Sequence, residues 1–162
     1  MLRKNGAFLL VIAMMAMLPL QDGTAWGKTP EFNLITVSGA ITPPIAEYIL
    51  QNIEEANREG RYGLVILLDT PGGLDLAMRD IAKGILNAPL PVFVFVYPSG
   101  ARAASAGVII TVAAHVAAMA PGTNIGAAHP VALGFGGGAD KTMMKKVEND
   151  AAAYVRGIAK KR

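Results

Sequence analysis

Two stretches, Leu64-Val65-Ile66-Leu67-Leu68 and Val92-Phe93-Val94-Phe95-Val96, are apolar at every position. A strand with one wet face alternates, whereas an unbroken apolar run is what a strand covered on both faces of a parallel sheet requires. Between them Met78, Ile81, Ile85 and Leu86 recur at helical spacing. A parallel pair needs such a crossover, because a tight turn cannot join its strands. The alternation extends in both directions. Residues 33–37 read as a strand, and Thr42-Pro43-Pro44 opens a helix with Thr42 as its cap. Ile45, Ile49 and Ile53 share one face of that helix, and Glu59-Gly60 closes it. Pro89 and Pro91 bracket the turn into residues 92–96, and Pro98-Ser99-Gly100 ends that strand. A helix beginning near Ser105, a short strand over 115–119, a loop over 120–126 and a glycine-rich tip at 134–138 follow. The last helix starts near Asp140 and carries Met143, Val147, Ala151, Tyr154 and Ile158 along one side. The pattern predicts an α/β fold with a mainly parallel sheet and helical crossovers.

With 162 residues, 52% hydrophobic and 17% charged, the chain has the material for one core, and wholesale disorder is excluded. Part of the apolar excess lies at the start. Leu2-Arg3-Lys4 precedes an uncharged stretch over 7–20, and Gly23-Thr24-Ala25 supplies the small residues of a cleavage site. We read residues 1–25 as a secretory signal peptide and 26–162 as the domain itself, exported and extracytoplasmic. A net charge of +3 is too small for a nucleic-acid footprint, despite a sequence pI near 9.3. The absence of cysteine excludes disulfides, thiol catalysis and thiolate metal sites. The two histidines do not form a His-x-x-x-His pair, so no metal and no cofactor is expected. The chain stops at Lys160-Lys161-Arg162 with its helical pattern still running, which reads as a fold incomplete at the C-terminus.

One polar side chain stands where chemistry is possible. Ser105, in Ala103-Ala104-Ser105-Ala106-Gly107, falls at a strand-to-helix junction, near the amide donors and positive dipole end of the helix. A nucleophile there needs an oxyanion pocket and a base. Gly72 and Gly73, after the 64–68 strand, can turn backbone N–H groups into a cleft beside the amide of Ala106; the plainer reading is a turn that needs glycine. Lys146 is a candidate base, since burial in an apolar cleft strips hydration from an amine; its plainer reading is a surface lysine paired with Asp150. Lys141 and Lys145 are no worse by composition. His129 is the other candidate, because imidazole titrates near neutrality unaided, and His115 reads as structural. Val108, Ile125 and Val131 would make apolar walls for an extended hydrophobic peptide.

Three segments in order carry a resemblance: Leu68-Asp69-Thr70-Pro71-Gly72-Gly73, Tyr97 to Gly107, and Met119 to Pro130. Together they resemble the NfeD family of membrane-associated serine proteases. The resemblance implies a Clp-protease-like fold, related to the crotonase crossover fold, and a Ser–Lys dyad. It places the nucleophile on Ser105 and the lysine on Lys146, with His129 near the position of the Clp protease histidine. It also implies, as substrate, hydrophobic segments of membrane proteins such as a stomatin-like partner. We further expect a homo-oligomer. The rival class is a catalytically inactive peptide-binding or scaffold protein of the same fold, and a crotonase-type oxyanion pocket for acyl-CoA thioesters is the more distant one.

Overall fold

The computed structural model describes residues 29–128 and 141–162. The signal stretch at 1–25, the glycine-rich tip, His129 and Val131 lie outside them. The elements run β1 (Phe32–Ser38), α1 (Pro43–Arg58), β2 (Gly63–Asp69), α2 (Asp75–Leu86), β3 (Val92–Val96), β4 (Arg102–Ala104), α3 (Ala106–Ala113), β5 (Val116–Met119), β6 (Asn124–Gly126) and α4 (Lys141–Lys161). The main sheet has four strands in the order β1-β2-β3-β5, all parallel, with Leu34, Val65, Phe93 and Val116 in one row. The predicted crossover architecture is the one observed.

Helical spacing translates into burial. Ala46, Ile49, Ile53 and Ala56 form the inner face of α1, and Ala77, Met78, Ile81, Ala82 and Ile85 that of α2. They pack on Val37, Leu64, Ile66, Leu68, Val92, Val94 and Val96 in a single core. Each fully buried aliphatic side chain contributes about 1.5–3 kcal/mol of transfer free energy. Helix α3 has nothing polar to show to water, and six of its eight residues are buried.

Four expectations need correction. The central strands are covered on one face only: Val65, Leu67, Phe93 and Phe95 are half-buried, and Leu34 is 61% exposed. Thr42 occupies the cap position without a side-chain cap bond. Pro43 and Pro44 have no N–H to offer it, so one of the usual recipients is missing. The 120–126 loop contains strand β6, which pairs in parallel with β4 in a separate two-stranded ribbon. Finally, the apolar stripe of α4 is not uniformly docked. Ile158 is buried and Tyr154 half-buried, but Met143 and Val147 are 57% and 42% exposed.

Candidate active site

The C-terminal ends of parallel strands are where crossover folds open a crevice, and here the end of β2 is bonded to the segment that bears Ser105. Thr70, fully buried, donates its N–H to the Arg102 carbonyl (2.7 Å) and accepts from Ala104 N–H (3.0 Å). Its hydroxyl accepts from Gly72 N–H (3.0 Å) and donates to the Gly72 carbonyl (3.1 Å). This fixes Gly72 at φ 117°, where only glycine is unstrained. The Gly72 carbonyl also accepts from Ile41 N–H (2.8 Å), and Leu74 N–H donates to the Ile41 carbonyl (2.9 Å). Gly73 is thereby pressed onto the Ile41 backbone so closely that a Cβ would overlap it. The Gly72 amide is occupied by Thr70, while the Gly73 amide has no acceptor among the described residues.

Ser105 ends β4 and starts α3 at φ 51°, ψ −112°. That is a strained setting for a residue with a Cβ, of the kind that persists where the surroundings over-determine it. Those surroundings are visible. Ser105 N–H donates to the Gly126 carbonyl on β6 (2.9 Å), and its own carbonyl accepts from Val108 N–H (3.0 Å). A Cβ at Gly107 would lie 2.6 Å from Thr70 Cγ2, so glycine lets α3 sit down on the end of β2. Likewise, a Cβ at Gly72 would lie 2.7 Å from Ser105 Cβ and 3.1 Å from its Oγ. The hydroxyl does not cap α3 and makes no hydrogen bond among the described residues. Ala106 N–H, in the first turn, has no intrahelical partner. Ser105, Gly73 and Ala106 line one cavity of about 160 Å³, with Leu74, Met78 and Ile109 among its apolar walls. A wider groove of about 570 Å³ adjoins it, sharing Ile109, Ala128 and Ala151.

The far wall comes from α4 through Ala151 and Tyr154. Arg79 of α2 reaches across to it. Its guanidinium pairs with Asp75 (2.8 Å) and Asp150 (2.5 Å) and lies 4.5 Å above the centre of the Tyr154 ring. The hydrogen bond to Asp75 leads in raising the Arg79 pKa, against some desolvation, and burial pushes the Tyr154 phenol up. Lys146 is exposed on the outer half of α4 and is not drawn into the cavity. Its expected pairing with Asp150 does not form, because Arg79 takes that carboxylate. Lys145 is exposed as well. Val108 is half-buried and Ile125 41% exposed, and neither lines the cavity at Ser105. His115 is structural, as expected, since its Nδ1 accepts from Val92 N–H (3.1 Å). Among the described residues no three His, Cys, Asp or Glu side chains group to hold a metal, and no helix is long and apolar enough to cross a membrane.

The Arg79 contacts are not evident from the sequence. Asp75 and Arg79 at i, i+4 are their only trace in it.

This is a Clp-protease-like crossover fold. It superposes with a TM-score of 0.58 on a ClpP1 variant from Listeria monocytogenes, at 19% identity and covering 80% of this chain and 69% of that one. Residues 31–159 match the family described as NfeD1b, N-terminal domain, and the chain belongs to it. It is 39% identical over 124 residues to the membrane-bound protease PH1510 of Pyrococcus horikoshii, 76% of this chain but only 28% of that relative's length. Two solved structures of the 1510-N membrane-bound stomatin-specific protease superpose with a TM-score of 0.72 at 34% identity. One, a serine-to-alanine mutant, covers 80% of this chain and 62% of its own. The other, a lysine-to-alanine mutant in complex with a substrate peptide, covers 82% of this chain and 61% of its own.

Proposed function

We propose that the chain is the protease part of a membrane-associated serine endopeptidase that uses Ser105 as nucleophile and Lys146 as general base. The observation that carries this reading is the Ser105 turn: a positive-φ serine whose hydroxyl has no partner among the described residues, lining one cavity with Gly73 and Ala106, whose N–H groups have no acceptor among those residues. The assignment of the base is supported by spacing. The serine and lysine replaced in the two mutant structures are 41 residues apart, the interval between Ser105 and Lys146.

Ser105 Oγ attacks the scissile carbonyl carbon as the free amine of Lys146 takes its proton. The oxyanion accepts hydrogen bonds from Gly73 and Ala106, each donor contributing about 3–4 kcal/mol to the transition state. The lysine ammonium returns the proton to the departing amine. Water then adds to the acyl-serine with Lys146 again as base, releasing the acid and restoring the hydroxyl. Met143 and Val147 flank Lys146 and are exposed. A hydrophobic peptide that leaves the groove along α4 covers them and excludes water from the amine, so binding completes the site. The substrate is accordingly a hydrophobic segment of a membrane protein, a stomatin-like protein being the example suggested by the relative. Export by residues 1–25 and self-association belong to the same reading.

Labelling by an alkyl fluorophosphonate tests it, since only an activated serine reacts. The expected result is labelling that disappears in Ser105→Ala and Lys146→Ala and persists in His129→Ala. Labelling lost only in His129→Ala would transfer the base to the histidine. A wild-type chain that binds apolar peptide but is never labelled would be a binding protein of this fold.

A further inference from the structure

Helix α4 is held to the body mainly at its C-terminal end. Ile158 is buried, Lys161 Nζ donates to the Leu86 carbonyl, and Arg162 donates to the carbonyls of Ala113 and Ile85. Nearer its middle, Asp150 and Tyr154 are both held by Arg79. Lys146 lies one turn further out, about 6 Å along the axis, on the same side as Asp150.

We infer that Arg79 is a positioning residue for Lys146. It grips Asp150 and Tyr154, which fixes the rotation of α4 and so the direction from which the exposed lysine reaches Ser105 once substrate completes the site. The inference rests on the Ser105–Lys146 reading above. Arg79 suits this role because it rises from a core helix between the buried Met78 and Ile81, with Asp75 holding one side of its fork. The rest of the guanidinium engages two residues of α4 a turn apart, one by hydrogen bond and one by its flat face. Two contacts of different direction define a rotation where one would leave a pivot. Both carboxylates are mostly exposed, at 62% and 68%, so these pairs contribute little to global stability. Their effect is on aim, and a misplacement of an ångström in a reacting group slows chemistry up to about a hundredfold.

The test is a double-mutant cycle on the full chain, read by fluorophosphonate labelling rate and by melting temperature. The variants are Arg79→Ala, Asp150→Asn and the two combined, with Arg79→Lys, Lys146→Ala and Ser105→Ala alongside. Arg79→Ala and Asp150→Asn are each expected to slow labelling about 10- to 100-fold, with melting temperatures within about 3 °C of wild type. The combined variant is no slower than Arg79→Ala, because the same contact is lost once. Arg79→Lys, which keeps the charge but not the fork, falls between. Asp150→Asn is isosteric at an exposed position, so it reads the contact even if Arg79→Ala fails to fold. Wild-type labelling rates in Arg79→Ala or Asp150→Asn, with Lys146→Ala silent, overturn the inference and leave the dyad standing. Additive losses also overturn it. Labelling that persists in Lys146→Ala or Ser105→Ala removes the dyad, and this inference with it.

Discussion

Replacing Thr70 by valine is the sharpest probe of how the fold sets the proposed oxyanion turn. Valine keeps the shape of the buried side chain and deletes only the hydroxyl that accepts from Gly72 N–H and donates to its carbonyl. The carbonyl retains Ile41 N–H, but the amide of buried Gly72 is left without an acceptor. A buried donor orphaned in this way costs about 1–3 kcal/mol, or a fall of about 3–12 °C in melting temperature for a domain of this size. The peptide between Gly72 and Gly73 then keeps the bond from Ile41 N–H but loses the one from Thr70, so Gly73 N–H is aimed less tightly. Complete loss of one oxyanion donor slows turnover about 100- to 1,000-fold, so partial loss is expected to slow fluorophosphonate labelling about tenfold. Thr70→Ser is the control. It keeps the hydroxyl and sacrifices the methyl group that faces Gly107, at about 1 kcal/mol, with labelling near wild type. Thermal melts and labelling rates of the two variants decide the matter. If Thr70→Val melts and labels like wild type, or if Thr70→Ser loses as much labelling as Thr70→Val, the hydroxyl does not set the turn.

Three further outcomes follow from the same geometry. Ser105→Gly is expected to abolish labelling yet melt above Ser105→Ala, because glycine relieves the φ 51° strain of about 1–3 kcal/mol that alanine retains; equal melting temperatures would mean the turn is unstrained. Gly107→Ala overpacks against Thr70 and Ala103 and should destabilise by about 1–3 kcal/mol in chemical denaturation. His115 accepts from Val92 N–H only as neutral imidazole, and partial burial, then Arg162 and Lys161, push its pKa below 6.5. A lowered folded-state value means its contribution is complete above 6.5 and lost as pH falls through that lower value. Denaturation midpoints should therefore drop on acidification, and His115→Ala should flatten that part of the profile.

Much of the fold was legible because its signals are long. The residue 92–96 run and the 49/53 and 78/81/85 spacings each extend over several residues and leave little choice of element. Strands β4 and β6 were not legible, since three residues carry no period and both hide in turn-rich sequence. Ser105, Gly73 and Ala106 were legible as candidates, because a lone serine among small residues at a strand-to-helix junction stands out, although a glycine pair after a strand serves equally as a plain turn. Which glycine offers its amide was not. That depends on Thr70, whose hydroxyl folds back on Gly72. The partner of Asp150 was hidden for a related reason: local spacing offers Lys146, but the contact made is with Arg79, 71 residues away. Periodicity marks Met143 and Val147 as apolar positions on α4; it does not say whether the chain itself or a ligand covers them.

Gly73 is pressed onto the fully buried Ile41, whereas Lys146, the base in the proposed reading, rides on a helix at the edge of the molecule. Progressive denaturation should silence the protein in two stages. On the proposed reading, proton transfer fails first, as the helix works loose, and the anion-accepting crook survives until the sheet itself gives way.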